Sequence, residues 1–169
     1  MKKNQHLFLI GFMGAGKSTI GAKLAQKMTR EFLDLDKRIE IAEEMTIPEL
    51  FSSKGERYFR EKESEYLKEI NGDKVIATGG GILYFEDTLS WMKENGTIVY
   101  LHAPFSVLHE RIAQDINRPV AVRSTKDQLE KIFNERHTKF QRAAEISVST
   151  HCEVEETISD IMKKIKQES

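Results

Sequence analysis

Short apolar runs alternate along this chain with longer stretches in which apolar residues recur every three or four positions. "HLFLIG", starting at His6, is almost unbroken in its apolar character, as expected of a strand buried on both faces. "KSTIGAKLAQKM" follows with Ile20, Leu24 and Met28 on one helical face. "EFLDLD" reads as a second strand that ends in acids, and "KRIEIAEEM" as a helix. "TIPELFSSKG" predicts a new helix with Pro48 near its first turn and Gly55 as its stop. "ERYFREKESEYLKEI" predicts another, with Phe59, Glu63, Tyr66, Leu67 and Ile70 along one side. "KVIATGGG" is a third strand running into glycines, and "DTLSWMKEN" a helix stopped by Gly96. "TIVYLHA" is a fourth strand, "FSVLHERIA" a helix, and "QDINRPVAVRS" an irregular polar loop. "TKDQLEKIFNERHTKFQRAA" is a long helix and "EISVST" a fifth strand. A last helix carries Val154, Ile158, Ile161, Met162 and Ile165 at helical spacing.

Five apolar strands separated by helices predict an α/β fold, a parallel sheet covered on both faces. In such sheets ligands sit beyond the carboxyl ends of the strands. The unusual residues fall at those ends: Gly11 to Thr19, Asp34 with Asp36, and Gly79 to Gly81. A length of 169 residues suits one domain, and 39% hydrophobic with 31% charged residues is ordinary for a soluble protein. The formal net charge of -1 lacks the basic footprint of a nucleic-acid or anionic-membrane binder. Cys152 is the single cysteine, so neither an intrachain disulfide nor a thiolate metal site is available, and the expected compartment is the cytoplasm. The apolar run near the N-terminus is too short and too glycine-broken for a signal peptide. His102, His109, His137 and His151 show no metal-ligand spacing and read as surface or packing residues.

The stretch "GFMGAGKST" matches G-x-x-x-x-G-K-[ST] at Gly11, Gly16, Lys17 and Ser18. Glycines let successive backbone N–H groups converge on phosphate oxygens at the positive end of the following helix. Lys17 supplies a mobile charge for the β- and γ-phosphates, and Ser18 an oxygen for Mg²⁺. A GTPase would add an N-K-x-D motif, which does not occur. A motor-type ATPase would end an apolar strand in one acid, whereas "KVIAT" and "TIVYLH" end in Thr78 and His102. The acids follow the second strand instead. If Asp34 and Asp36 lie in a strand, they point the same way, toward the phosphate loop. One would then orient Mg²⁺ waters and the other accept a proton from an attacking hydroxyl. The alternative is a pair of solvated acids capping the next helix.

"FLDLD", "TIPELFSSKGERYFREKE", "TGGG" and "NRP" stand in order behind the phosphate loop, and over nearly the whole chain the sequence resembles the shikimate kinases. The resemblance implies a three-layer α/β/α P-loop kinase fold with a five-stranded parallel sheet. It further implies a single domain over residues 1–169, with a substrate-binding region at about 34–62 and a lid at about 112–125. The implied reaction is ATP-dependent phosphorylation of the 3-hydroxyl of shikimate with Mg²⁺ as cofactor. The implied enzyme is a cytoplasmic monomer whose partners are ATP and shikimate, with no nucleic acid and no membrane. By the same resemblance, Gly14, Ala15, Gly16, Lys17, Ser18 and Thr19 form the ATP phosphate loop, Ser18 is a metal ligand, and Asp34 reaches the metal through water. Asp36 binds substrate hydroxyls and is the candidate base. Arg60, oriented by Glu63, and Arg136 grip the substrate carboxylate, and the backbone of Gly80 contacts the substrate. Arg118 reaches the phosphates from the lid, and Arg111 packs on adenine. Independently of the family, Arg136 falls in line with Leu129, Ile132, Phe133 and Phe140 on an apolar stripe, where its charge needs a partner. The chain departs from the family pattern at "RPVAVR", at Thr138 and Phe140, and at "STHCEVEE". Two other readings remain at this point: a gluconate-type small-metabolite kinase, and a nucleotide-binding regulatory module without catalysis.

Overall fold

The computed structural model describes residues 5–115 and 124–169. Its five strands are β1 (His6–Ile10), β2 (Phe32–Asp34), β3 (Val75–Ala77), β4 (Gly96–His102) and β5 (Ile146–Ser149). All pair in parallel, in the order β2-β3-β1-β4-β5. Side chains alternate across a strand, and in β1 this separates two cores. Leu7 and Leu9 join one, with Val99, Leu101 and Val148, while Phe8 and Ile10 join the other, with Ile76, Ile98 and Tyr100.

Helices cover both faces. The first core is closed by α1 (Lys17–Lys27), α5 (Phe105–Gln114) and α7 (Val154–Glu168), through Leu24, Leu108 and Ile158 among others. The second is closed by α2 (Leu35–Glu43), α3 (Ile47–Lys68) and α4 (Glu86–Asn95), through Ile39, Leu67 and Met92. The remaining helix, α6 (Lys126–Ala143), serves both: Leu129 and Phe133 pack in the first core, Phe140 and Ala143 in the second. It therefore passes from one face of the sheet to the other, and Arg136 lies at the crossing. The chain leaves β1 toward the first face and β3 toward the second, so the crevice between their carboxyl ends is the switch point at which such sheets bind ligands. No helix among the described residues is long and apolar enough to cross a membrane.

One local expectation is corrected, and two glycine stops hold. The second strand stops at Asp34, not Asp36, because Asp34 caps a helix: its Oδ1 accepts from the Lys37 N–H at 3.3 Å. Leu35 and Ile39, one turn apart and fully buried, then fix α2 on the sheet, so Asp36 belongs to a helical turn. Gly55 breaks the helical backbone as expected, with φ 86° and ψ 165°, so α3 consists of two helical segments that meet there. The start of α3 is held by a capping box, in which Thr46 and Glu49 satisfy each other's backbone N–H groups. Gly96 ends α4 as expected, as its C-cap; its backbone is extended and also opens β4. The lid expected at about 112–125, with Arg118, lies largely outside the described residues, and Arg118 lies wholly outside them.

Gly96 pairs with His6, and a Cβ at this position would overlap the His6 carbonyl oxygen. Gly96→Ala is expected to lower stability by about 1–3 kcal/mol through forced backbone movement in the central strand pair. Chemical denaturation of the two proteins measures the difference.

Candidate active site

The loop from β1 to α1 turns at Gly14 (φ 79°) and Gly16 (φ 91°), conformations that a side chain strongly disfavours. Gly16 occupies the N-cap of α1, no side chain caps that end, and its first turn contains no acid. The first N–H groups of the helix are thus not taken by a capping side chain, the condition under which a helix start can receive an anion. Lys17 reaches back over the loop, its Nζ donating to the Gly11 carbonyl at 2.5 Å and the Phe12 carbonyl at 3.1 Å. Ser18 Oγ donates to Asp34 Oδ2 at 2.7 Å, which joins the start of α1 to the end of β2. From α5, Arg111 braces the loop, donating to the Gly14 carbonyl at 3.1 Å and to the Thr150 carbonyl at 2.8 Å.

The glycines after β3 carry the second half of the site. A Cβ on Gly79 would stand 2.7 Å from Glu63 Oε2 and 2.9 Å from Asp36 Oδ1. One on Gly80 would stand 3.2 Å from Arg136 Nη1, and one on Gly81 would overlap the Arg60 guanidinium. Four charged side chains thus lie on a bare backbone. They come from α2, α3 and α6, and only their convergence on Gly79–Gly81 brings them together. The Asp36 Oδ1 and Glu63 Oε2 atoms are buried without a hydrogen-bond partner among the described residues.

Burial raises the Asp36 carboxyl, with the Lys17 ammonium opposing and the Asp34 carboxylate adding to the rise. Burial likewise pushes Glu63 up to about 7, against the pull of the Arg60 guanidinium. Arg60 is 7% exposed and held by Glu63 Oε1 at 2.9 Å and more loosely by Glu56 at 3.7 Å. Phe59 lies under its guanidinium, 5.0 Å from ring centroid to Cζ. Arg136 is different. It makes no hydrogen bond or ion pair among the described residues, and burial together with the neighbouring Arg60 charge lowers its pKa. Next to it, His137 stacks on Phe133 and its Nδ1 is bonded to the buried Tyr100 hydroxyl at 2.7 Å. That contact ties the rotation of α6, and so the direction of Arg136, to β4.

Arg60, Gly80, Gly81, Tyr84, Arg136 and Phe140 line one cleft at this point. Of the residues expected from sequence, Gly14 to Thr19, Asp34, Asp36, Arg60, Gly80, Arg111 and Arg136 are all placed around the carboxyl edge of β1 and β3. Tyr84, Glu56 and Lys139, which also line the cleft, were not expected. Lys139 was readable as the residue one helical turn beyond Arg136. Tyr84 and Glu56 carry no motif, and only the fold brings them in.

A family model for shikimate kinase matches residues 13–166. The chain belongs to the shikimate kinase family. It is 38% identical over 162 residues to a shikimate kinase of Staphylococcus haemolyticus, covering 95% of this chain and 94% of that one. The crystal structure of the shikimate kinase of Aquifex aeolicus superposes with a TM-score of 0.84 at 36% identity, over 96% of this chain and 97% of that one. The Acinetobacter baumannii family member, solved in complex with shikimate, gives a TM-score of 0.90 at 31% identity over 98% and 95% of the two chains. The fold is therefore the P-loop kinase fold, with the family's phosphate loop intact.

The raised pKa of Glu63 has a consequence for stability. Its folded value of about 7 lies above the ordinary 4.5, so its contribution is fully present below pH 4.5 and is lost as pH rises through 7. Glu63→Gln should remove that slope, and the two proteins should diverge by on the order of 3 kcal/mol between pH 4.5 and 8. Urea midpoints measured across this range should fall with pH more steeply for the wild type than for the variant.

Proposed function

We propose that this chain transfers the γ-phosphoryl group of ATP to the 3-hydroxyl of shikimate, giving shikimate 3-phosphate and ADP. The observation that carries the reading is Arg136: a half-buried guanidinium with no partner among the described residues, on one wall of a cleft whose other wall is Arg60. A charge in that setting is costly until an anion arrives. Two guanidinium groups facing one cleft suit the planar carboxylate of a small ring acid.

The loop amides and Lys17 hold the ATP phosphates, and Lys17 exchanges its carbonyl contacts for phosphate oxygens. Arg60, stiffened by Glu63, and Arg136 take the substrate carboxylate. That orients the ring so that a hydroxyl meets Asp36, whose free Oδ1 faces Gly79 between the phosphate loop and the arginines. Burial makes Asp36 a better base than an exposed aspartate, while Lys17 keeps it ionised enough to accept a proton. Phosphoryl transfer depends mainly on positioning and charge stabilisation, and this cleft supplies both. Ser18 and Asp34 offer hard oxygen donors 2.7 Å apart at the mouth of the loop, a set that fits Mg²⁺. When bound, Mg²⁺ neutralises phosphate charge. Arg111 stands beside the loop where we place the adenine.

A coupled ADP-release assay over shikimate, quinate, gluconate and nucleoside monophosphates tests the reading; turnover is expected with shikimate, and a preference for gluconate or a nucleotide would overturn it. Lys17→Met should lower turnover by several orders of magnitude in a folded protein, because transition-state charge loses its stabiliser. Asp36→Asn should lower kcat strongly and leave ATP affinity by calorimetry near that of the wild type. Arg136→Lys should weaken shikimate binding about tenfold to a hundredfold, the equivalent of one charge-assisted contact of roughly 1.5–3 kcal/mol. Equal affinity of that variant for shikimate and for its carboxyl-reduced alcohol would show that the carboxylate is held elsewhere.

A further inference from the structure

Arg136, Lys139 and Phe140 stand at i, i+3 and i+4 on α6 and all three line the cleft. Lys139 is exposed at its rim and makes no hydrogen bond or ion pair among the described residues. The cleft's charges can be set against one another. Its lining cations are Arg60, Arg136 and Lys139, and its lining anion is Glu56. Glu63 stands directly behind Arg60. Asp36, beside Glu63 at Gly79, and Glu135, beside Arg136, stand behind the arginines as further acids; within the lining itself cations outnumber anions, and Lys139 is the exposed cation among them.

We infer that Lys139 is a further recognition residue for the acidic end of the substrate, drawing the anion to the cleft mouth and adding to its hold there. The inference rests on the shikimate reading above. Arg60 is fixed by its acids and Arg136 is recessed at the crossing of α6, so neither extends its charge into solvent as a flexible ammonium does. An exposed ammonium near a cleft of matching sign raises the encounter rate with an anion, and salt weakens that effect. Lys139 is exposed and belongs to neither core, so its replacement is expected to leave the fold intact. It lies at the carboxylate end and not at the phosphate loop, so the chemical step is not expected to depend on it.

The test compares Lys139→Gln and Lys139→Arg with the wild type, using steady-state kinetics in ATP and shikimate from low to high ionic strength. At low salt the glutamine variant should show a KM for shikimate about threefold to tenfold higher, with kcat and the KM for ATP within twofold of the wild type. The gap should narrow at high salt, and the arginine variant should recover most of the loss. An unchanged KM for shikimate in Lys139→Gln at low salt, or a rise that neither salt nor arginine alters, overturns the inference. Absence of wild-type turnover with shikimate would instead overturn the functional reading, and this inference with it.

Discussion

Four charged side chains of the site, Asp36, Arg60, Glu63 and Arg136, rest on the absence of side chains at Gly79, Gly80 and Gly81. The chain leaves β3 beneath Asp36, Glu63, Arg136 and Arg60, and a single methyl group on Gly79 or Gly81 would intrude on a carboxylate or a guanidinium. The constraint is one of volume. Like charges in such proximity stay together only if each is held by an opposite one or awaits a ligand, and here both cases occur. Arg60 has its acids; Arg136 has none among the described residues. The asymmetry separates a guanidinium fixed by ion pairs from one that makes none among the described residues, within a single cleft.

Much of this was legible before any coordinates. The alternation of apolar runs and helical stripes predicts the five parallel strands, and the motif at Gly11–Ser18 predicts the phosphate loop at the end of β1. Arg136 was legible because a charge on an apolar stripe contradicts its surroundings. Asp36 was placed near the loop for a reason that does not hold. Same-face spacing in a strand was expected to align it with Asp34; in the fold, Asp34 caps α2 and a helical turn delivers Asp36. The error is physical: aspartate after a strand is also the best helix cap, and only the burial of Leu35 and Ile39 decides between the two. Arg60 was not legible from pattern, since "REKE" is what a solvated face looks like. Its burial follows from the packing of α3 against the turn after β3, a long-range contact that no local window contains. Glu56 and Tyr84 were invisible for the same reason.

The electrostatics of the site follow from its enclosure. Asp36 and Glu63 each keep an oxygen buried without a hydrogen bond among the described residues, and burial raises both. A polar group left in that state stores free energy that a hydroxyl-bearing ligand can release by donating to it.

The passage of α6 across the sheet edge has a consequence for how the molecule moves. Its first half is locked into one core by Leu129 and Phe133 and its second into the other by Phe140 and Ala143. A helix anchored in both cores is held more firmly than one anchored in a single core, and its amides are expected to be among the better protected ones. Arg136 and Lys139 ride on that helix, so their position depends on packing on both faces of the sheet. A packing defect beside Leu129 and Phe133 on one face, or beside Phe140 and Ala143 on the other, therefore bears on the direction of the same guanidinium.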